Sequence, residues 1–504
     1  MPTNSYDLIV VGDDLAGLIA ATLCAKRGMR TLVVTHDDRP SRYALGPHKL
    51  PIEALVWAGR GGAAADRVIK ELHVEHDLRR RLRDARVTAQ LIGPDARIDL
   101  AGDAQSLARE LEREVADHAK LQSAWDQAGE LARGADPLFT GATSFPGQGF
   151  MEGRAVRKIA EKAEASARAW ASSTDELAPS SAALLRLPST LGARAIDPAP
   201  LAIARAADAW RAGAPGLRGD GDGLREILID KLEHASGEVK HARVSELTQS
   251  WGKIASVVLA SGEELGAQQV IAALPIGDLV PMLGKKPPKK LVELASQITI
   301  AGWRYTLNLV VDGSGVPEGM AQTVLAVIDA ARPLAGANAF QIHLGEADDA
   351  GRVVVTVSAI LPATSDDGAP PKAPYIATLR SELVRALDDI MPFVANHVVV
   401  MHSPHQDVAP EVPGNRGGHE APKSLPVPMR PLWRATETLE DSAACGIAPY
   451  ATGIKNLTIC STQVLPHLGL EGDLVAGWSA AKEVCGLAGK KKDYLRDEVL
   501  GTGT

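Results

Sequence analysis

The opening stretch YDLIVVGDDLAGLIAATLCAKRGMRTLVVTHDD (residues 6–38) constrains this chain more than any other part of it. Residues 8–11 form a wholly apolar run, as a parallel strand buried on both faces requires. Gly12 supplies a tight turn. Residues 15–27 then show helical spacing, with small Ala16, Gly17, Ala20 and Ala21 permitting close approach to a sheet. Gly28 suits the left-handed position that ends a helix, and residues 31–34 are a second apolar strand. A β-turn-α-β unit of this kind commits the chain to an α/β fold that begins with a parallel sheet.

Length and charge narrow the rest. At 504 residues the chain exceeds a single core, so two domains or large insertions are expected. A net charge of −8 and only 4% aromatic residues argue against nucleic acid as the main partner. Cys24, Cys445, Cys460 and Cys485 lie far apart with no CxxC, so they are expected to be reduced, buried thiols of a cytoplasmic protein. Residues 1–5 are too short and polar for a signal peptide, and no apolar run is long enough to suggest a spanning helix. The stretch KKPPKK (residues 285–290) is basic enough to attract an anionic membrane surface, although such a run is more often a solvated loop between domains.

The turn after the first strand has the spacing of a dinucleotide site, G-x-G-x-x-G, but with Asp14 at the second glycine position between Gly12 and Gly17. That glycine normally lets the backbone approach a pyrophosphate resting on the helix N-terminus. A carboxylate about 4 Å from a phosphate charge costs about 4 kcal/mol at an effective dielectric of 20, against at most about 2 kcal/mol from the helix dipole. Alternatively, Asp13 or Asp14 caps the helix, which contributes about 1 kcal/mol. Thr35 stands where an acid normally bonds the ribose, a loss of roughly 1.5–3 kcal/mol unless Asp37 or Asp38 substitutes. Together the two losses amount to about 5 kcal/mol, more than roughly a thousandfold in affinity.

Two later segments complete a pattern. Residues 219–275 hold a Gly-rich turn, a helix (224–234), short strands near 239–247 and 254–259, and an apolar run at 270–274. Residues 456–487 hold an apolar strand, the Gly-rich loop LPHLGLEGDLVAG and a helix beginning near Gly472. In this order the three segments resemble the phytoene desaturase and amine oxidase type of FAD-dependent oxidoreductase. The resemblance implies a Rossmann-like, glutathione-reductase-type FAD/NAD(P)-binding domain with an inserted α+β substrate domain. It implies that Gly12, Asp14, Leu15, Ala16, Gly17 and Thr35 line the ADP half of FAD, that Val244 lies near adenine, and that Gly469, Glu471 and Gly472 face the flavin. Its departures are Asp14, Thr35, the missing glycine pair in RPSRYALGPHKLP (residues 39–51), and CSTQ (460–463) in place of a glycine–acid pair.

On this reading the nucleotide-binding domain is assembled from residues 1–100, 215–284 and 440–489, and the substrate domain from 101–214 and 285–439, with 490–504 as a tail. Helices are expected over 106–132, 155–171 and 375–390, and strands over 298–312, 340–344, 353–361 and 398–402. Residues 404–431 are Pro- and Gly-rich and read as a loop. His402 and His405, with His419 as the only local third ligand, fit a surface pair better than a metal site. No G-x-S-x-G elbow supports a hydrolase, and GLRGDGDG (216–223) lacks the rest of an EF-hand loop. Two functions are therefore carried forward. One is an FAD-dependent oxidoreductase that oxidises or desaturates a hydrophobic substrate by hydride transfer. The other is a flavin-free scaffold of the same fold that binds a lipid or protein, as Rab escort and GDP-dissociation inhibitor proteins do.

Overall fold

The computed structural model describes residues 4–37, 39–53, 62–83, 85–214, 216–218, 220–364, 368–406, 410–411 and 426–489. Asp38 and His419 lie outside the described residues.

The N-terminal unit forms as the pattern dictates. The strand Asn4–Val11 pairs in parallel with Thr31–Val34 on one side and Glu264–Ala272 on the other. The first strand begins four residues earlier than its apolar run. The helix Leu15–Lys26 between the two N-terminal strands is buried over most of its surface. It lies between the sheet, where a Cβ on Gly17 would come 2.3 Å from that of Ala273, and the last helix, Leu470–Leu487, where a Cβ on Gly477 would come 2.7 Å from the Ala16 carbonyl oxygen. Gly17 on this helix and Gly477 on the last therefore set the spacing of the two layers. Glu238–Lys240 extends the sheet beside Thr31–Val34, and Leu457–Ile459 joins Glu264–Ala272 in parallel. The hairpin Val244–Ser250 and Lys253–Leu259 adds an antiparallel wing. All three segments singled out in the sequence thus meet in one seven-stranded sheet.

A second sheet of eight strands runs Val398–His402, Ile298–Asp312, Arg352–Pro362, Ala339–Leu344, Thr323–Val327, Ala89–Ile92 and Arg97–Leu100, with Arg430–Ala435 also on Ile298–Asp312. The helix Ala373–Ile390 packs on one face. On the other face lie Ala104–Glu114, His118–Thr140, Pro179–Gly192 and Pro200–Arg211.

Several expectations are corrected. The sequence reading puts Ala89–Ile92 and Arg97–Leu100 with residues 1–100 in the nucleotide-binding domain. They pair instead with the second sheet, through a parallel contact to Thr323–Val327 that no local pattern announces. The helix expected over 106–132 is two helices, broken where the Asp117 carboxylate accepts the Ala178 N–H at 2.9 Å. The supposed loop 404–431 ends inside a strand, since Arg430 and Pro431 pair with Arg304 and Trp303. The helix expected from Leu224 begins at Asp220.

Candidate functional site

The carboxyl ends of the parallel strands open onto a cleft of about 1220 Å³, where open α/β sheets bind their ligands. Gly12 turns the chain at its edge with φ +95°, its N–H donating to the Val34 carbonyl at 2.8 Å. A Cβ there would fall 2.2 Å from the Ala273 carbonyl oxygen, so the fold itself requires this glycine. Asp13, Asp14 and Thr35 line the cleft, and Leu15 lines an adjoining pocket that shares Asp13, Asp14, Arg39, Arg194 and Arg430 with it. Ala16 and Gly17 are buried in the helix behind.

The two aspartates do not cap. Asp14 occupies the N-cap position of Leu15–Lys26 with no side-chain hydrogen bond to the helix. Its carboxylate lies 3.4 Å from Arg430 Nη1, while Asp13 is paired with Arg225, whose Nη1 also donates to the Asp13 carbonyl at 2.7 Å. Burial pushes the Asp13 carboxyl up and Arg225 opposes it. The capping expectation fails because guanidiniums from distant segments compete for both carboxylates.

Glu53 is the hub beside them. It accepts from Arg194 Nη1 at 2.7 Å, pairs with Arg430, and has Arg304 Nε at 3.5 Å. Burial works against its ionisation, but Arg194, Arg430, Arg304 and Arg39 outweigh it and hold the carboxyl well below the usual range. Arg304 also donates to the carbonyls of Leu191 at 2.7 Å and Ala193 at 2.9 Å. Burial, reinforced by Arg430, lowers Arg39 to about 10, and its buried Nη2 has no hydrogen-bond partner among the described residues. Asp473, in the first turns of the last helix, is pushed up to about 7 by burial, with Arg194 and Arg430 opposing. None of Arg39, Glu53, Arg194, Arg304, Arg430 and Asp473 was named from the sequence. Asp473 and Arg39 stood inside quoted motifs; the others become neighbours only through the fold.

The remaining expected positions divide. Thr35 closes its strand with its N–H on the Lys240 carbonyl at 3.1 Å. At the far end of the cleft the Val244 N–H donates to His36 Nδ1 at 3.2 Å, and His36 takes φ +59°. Asp37, the alternative ribose partner, has a largely exposed side chain 3.7 Å from His36. Glu471 is not brought to the cleft that holds Asp14. Arg205 grips it from Nε at 2.7 Å, in a separate small cavity with Asp136 and Trp210. Gly469 (φ +56°, ψ −127°) and Gly472 are both packed against backbone, where a Cβ would meet the Gly192 carbonyl at 2.4 Å and the Leu465 carbonyl at 2.2 Å. The HSPH histidines are not a surface pair. His402 is buried with Nδ1 3.0 Å from the Tyr43 hydroxyl, and His405 Nδ1 meets the Val427 carbonyl at 2.9 Å. All four cysteines are buried, and none is in a disulfide among the described residues. Among the described residues no helix is long and apolar enough to cross a membrane.

No protein-family model and no curated protein matches the sequence. Solved structures match it in shape. Wild-type putrescine oxidase bound to putrescine does so with a TM-score of 0.59, over 96% of this chain and 100% of that one, at 14% identity. Cyclohexylamine oxidase from Brevibacterium oxydans gives 0.55, with 96% and 99% covered at 15% identity. A Rab GDI from Plasmodium falciparum gives 0.54, with 96% and 98% covered at 10% identity. The likeness defines the class of fold: a Rossmann-like α/β sheet joined to a second, mixed sheet of eight strands. That fold is held in common by amine oxidases and a Rab GDI.

Proposed function

We propose that this protein is an FAD-dependent oxidoreductase acting on a hydrophobic small molecule. The observation that carries this reading is the buried Nη2 of Arg39 beside the Gly12–Asp14 turn, which has no partner among the described residues. A buried donor without an acceptor is costly, and a pyrophosphate oxygen is the acceptor a guanidinium fits best. Among the described residues, the pocket at the turn is lined by five arginines (Arg39, Arg42, Arg194, Arg225, Arg430) against four carboxyl groups. One of these, Asp473, is half neutral at about pH 7. The acids of the turn are already countered, Asp13 by Arg225 and Asp14 by Arg430. The Asp14 side chain bars the close backbone approach that glycine would allow, so the residues fit a diphosphate held chiefly by side chains: Arg39, Arg225 and Arg430.

FAD supplies a hydride acceptor when bound; the chain holds it, orients it and keeps water out. Thr35 offers a hydroxyl in place of the usual acid, and Val244 is buried behind the far end, its N–H on His36. Ile300, Trp303, Met429 and Trp433 give the cleft an apolar wall suited to an apolar substrate. A flavin-free scaffold is the second reading, favoured by the Asp14 carboxylate in the phosphate path and by the likeness to a Rab GDI.

A fluorescence-quenching titration with FAD separates the two. The wild type binds. Arg39→Ala weakens binding by about tenfold to a hundredfold, the worth of a charged hydrogen bond, and Asp14→Gly tightens it. A wild type that leaves FAD fluorescence unchanged contradicts the flavoprotein reading.

A further inference from the structure

We infer that one end of the molecule is a docking surface for an anionic lipid bilayer. Three segments meet there. The hairpin turn at Trp251 and Gly252 is tied to the turn at Lys455, whose N–H donates to the Gly252 carbonyl at 3.3 Å. Gln249 Nε2 donates to the Leu283 carbonyl at 3.0 Å, just before the Lys285–Lys290 stretch. Gly453 packs against Pro288 within that stretch, where a Cβ would lie 3.5 Å away.

Trp251 is 96% exposed and adopts φ +53°. A bulky side chain in the left-handed region is a rare outlier, and such strain collects at functional sites. Around it Lys253, Lys285, Lys286, Lys289, Lys290 and Lys455 are all exposed. The lysines that do form ion pairs among the described residues lie elsewhere, at Lys231, Lys240 and Lys482. Glu246 and Glu293 are the exposed acids on the same segments, so the surface is strongly positive on a chain of net charge −8.

The charge selects the occupant. A second copy would set lysine against lysine. An anionic headgroup layer attracts each lysine, while an indole prefers the depth just beneath it. The helix Lys289–Gln297 starts on this surface, and Ala295 and Ser296 near its other end line the cleft, about 10 Å along. An apolar substrate would thus enter from the bilayer; that route rests on the proposed function, whereas the surface itself does not.

Co-sedimentation of the full chain tests it, using vesicles of phosphatidylcholine alone and of equimolar phosphatidylcholine and phosphatidylglycerol. The protein is expected to pellet with the anionic vesicles only, and less so as salt rises. Joint substitution of Lys285, Lys286, Lys289 and Lys290 by alanine lowers partitioning by about a hundredfold or more. Trp251→Ala lowers it while leaving the circular dichroism spectrum and the FAD titration unchanged. Equal binding to both vesicles, no binding, or a Trp251-dependent dimer in sedimentation velocity overturns the inference. Because vesicle binding and flavin quenching are read separately, failure of one does not entail failure of the other.

Discussion

Asp473 shows how a single carboxyl reports on the cleft around it. Folded, it keeps its proton to about pH 7; unfolded, it releases it near its ordinary 3.8. A raised carboxyl favours the folded state fully below about pH 4, and that contribution is lost as pH rises towards 7. Asp473→Asn removes this loss, on the order of 2–4 kcal/mol, and raises the melting temperature at pH 8 more than at pH 4. Thermal unfolding across that range checks it; parallel curves for the variant and the parent contradict it. The mismatch at Asp14 was readable from the sequence because the motif fixes which position faces a phosphate. Its counter-charge was not, because Arg430 stands 416 residues further along and reaches it only through the second sheet.

At the scale of elements, the strands Thr31–Val34, Ile298–Asp312 and Val398–His402 coincide with their expected bounds. Each is an apolar or alternating run with clear punctuation, which local pattern can read. The hairpin of Arg42–Leu45 and His48–Pro51 was missed, since its residues mix polar and apolar types and pack under the second sheet. The Gly-rich loop before the last helix was legible as a motif, and both of its glycines are required by the packing of the fold itself. Gly469 is demanded by its backbone angles and by the neighbouring Gly192 carbonyl, and Gly472 by the Leu465 carbonyl. Gly469→Ala is therefore expected to destabilise the fold by at least about 2 kcal/mol with or without cofactor. Denaturant unfolding reads this directly, and an unchanged midpoint would show that the glycine serves a ligand instead.

Across the whole molecule, the cleft is spanned by an ion network that joins the two sheets. Glu53 and Asp14 belong to the N-terminal part, and Arg304 and Arg430 to strands of the second sheet. Removing one partner of a buried network leaves the others uncompensated, so Glu53→Gln costs about 3–5 kcal/mol. The same loss takes one counter-charge from Arg194, Arg304 and Arg430. The variant should thus melt earlier yet recover part of its stability in the presence of pyrophosphate, whereas recovery equal to that of the wild type argues against an anion site.

The central claim, that this cleft holds FAD, is tested most directly by the absorbance spectrum of the purified chain after incubation with excess FAD and gel filtration. Flavin bands that stay with the protein, and weaken in Arg39→Ala, are the predicted result. A colourless protein after filtration would contradict the account and leave the fold as a scaffold.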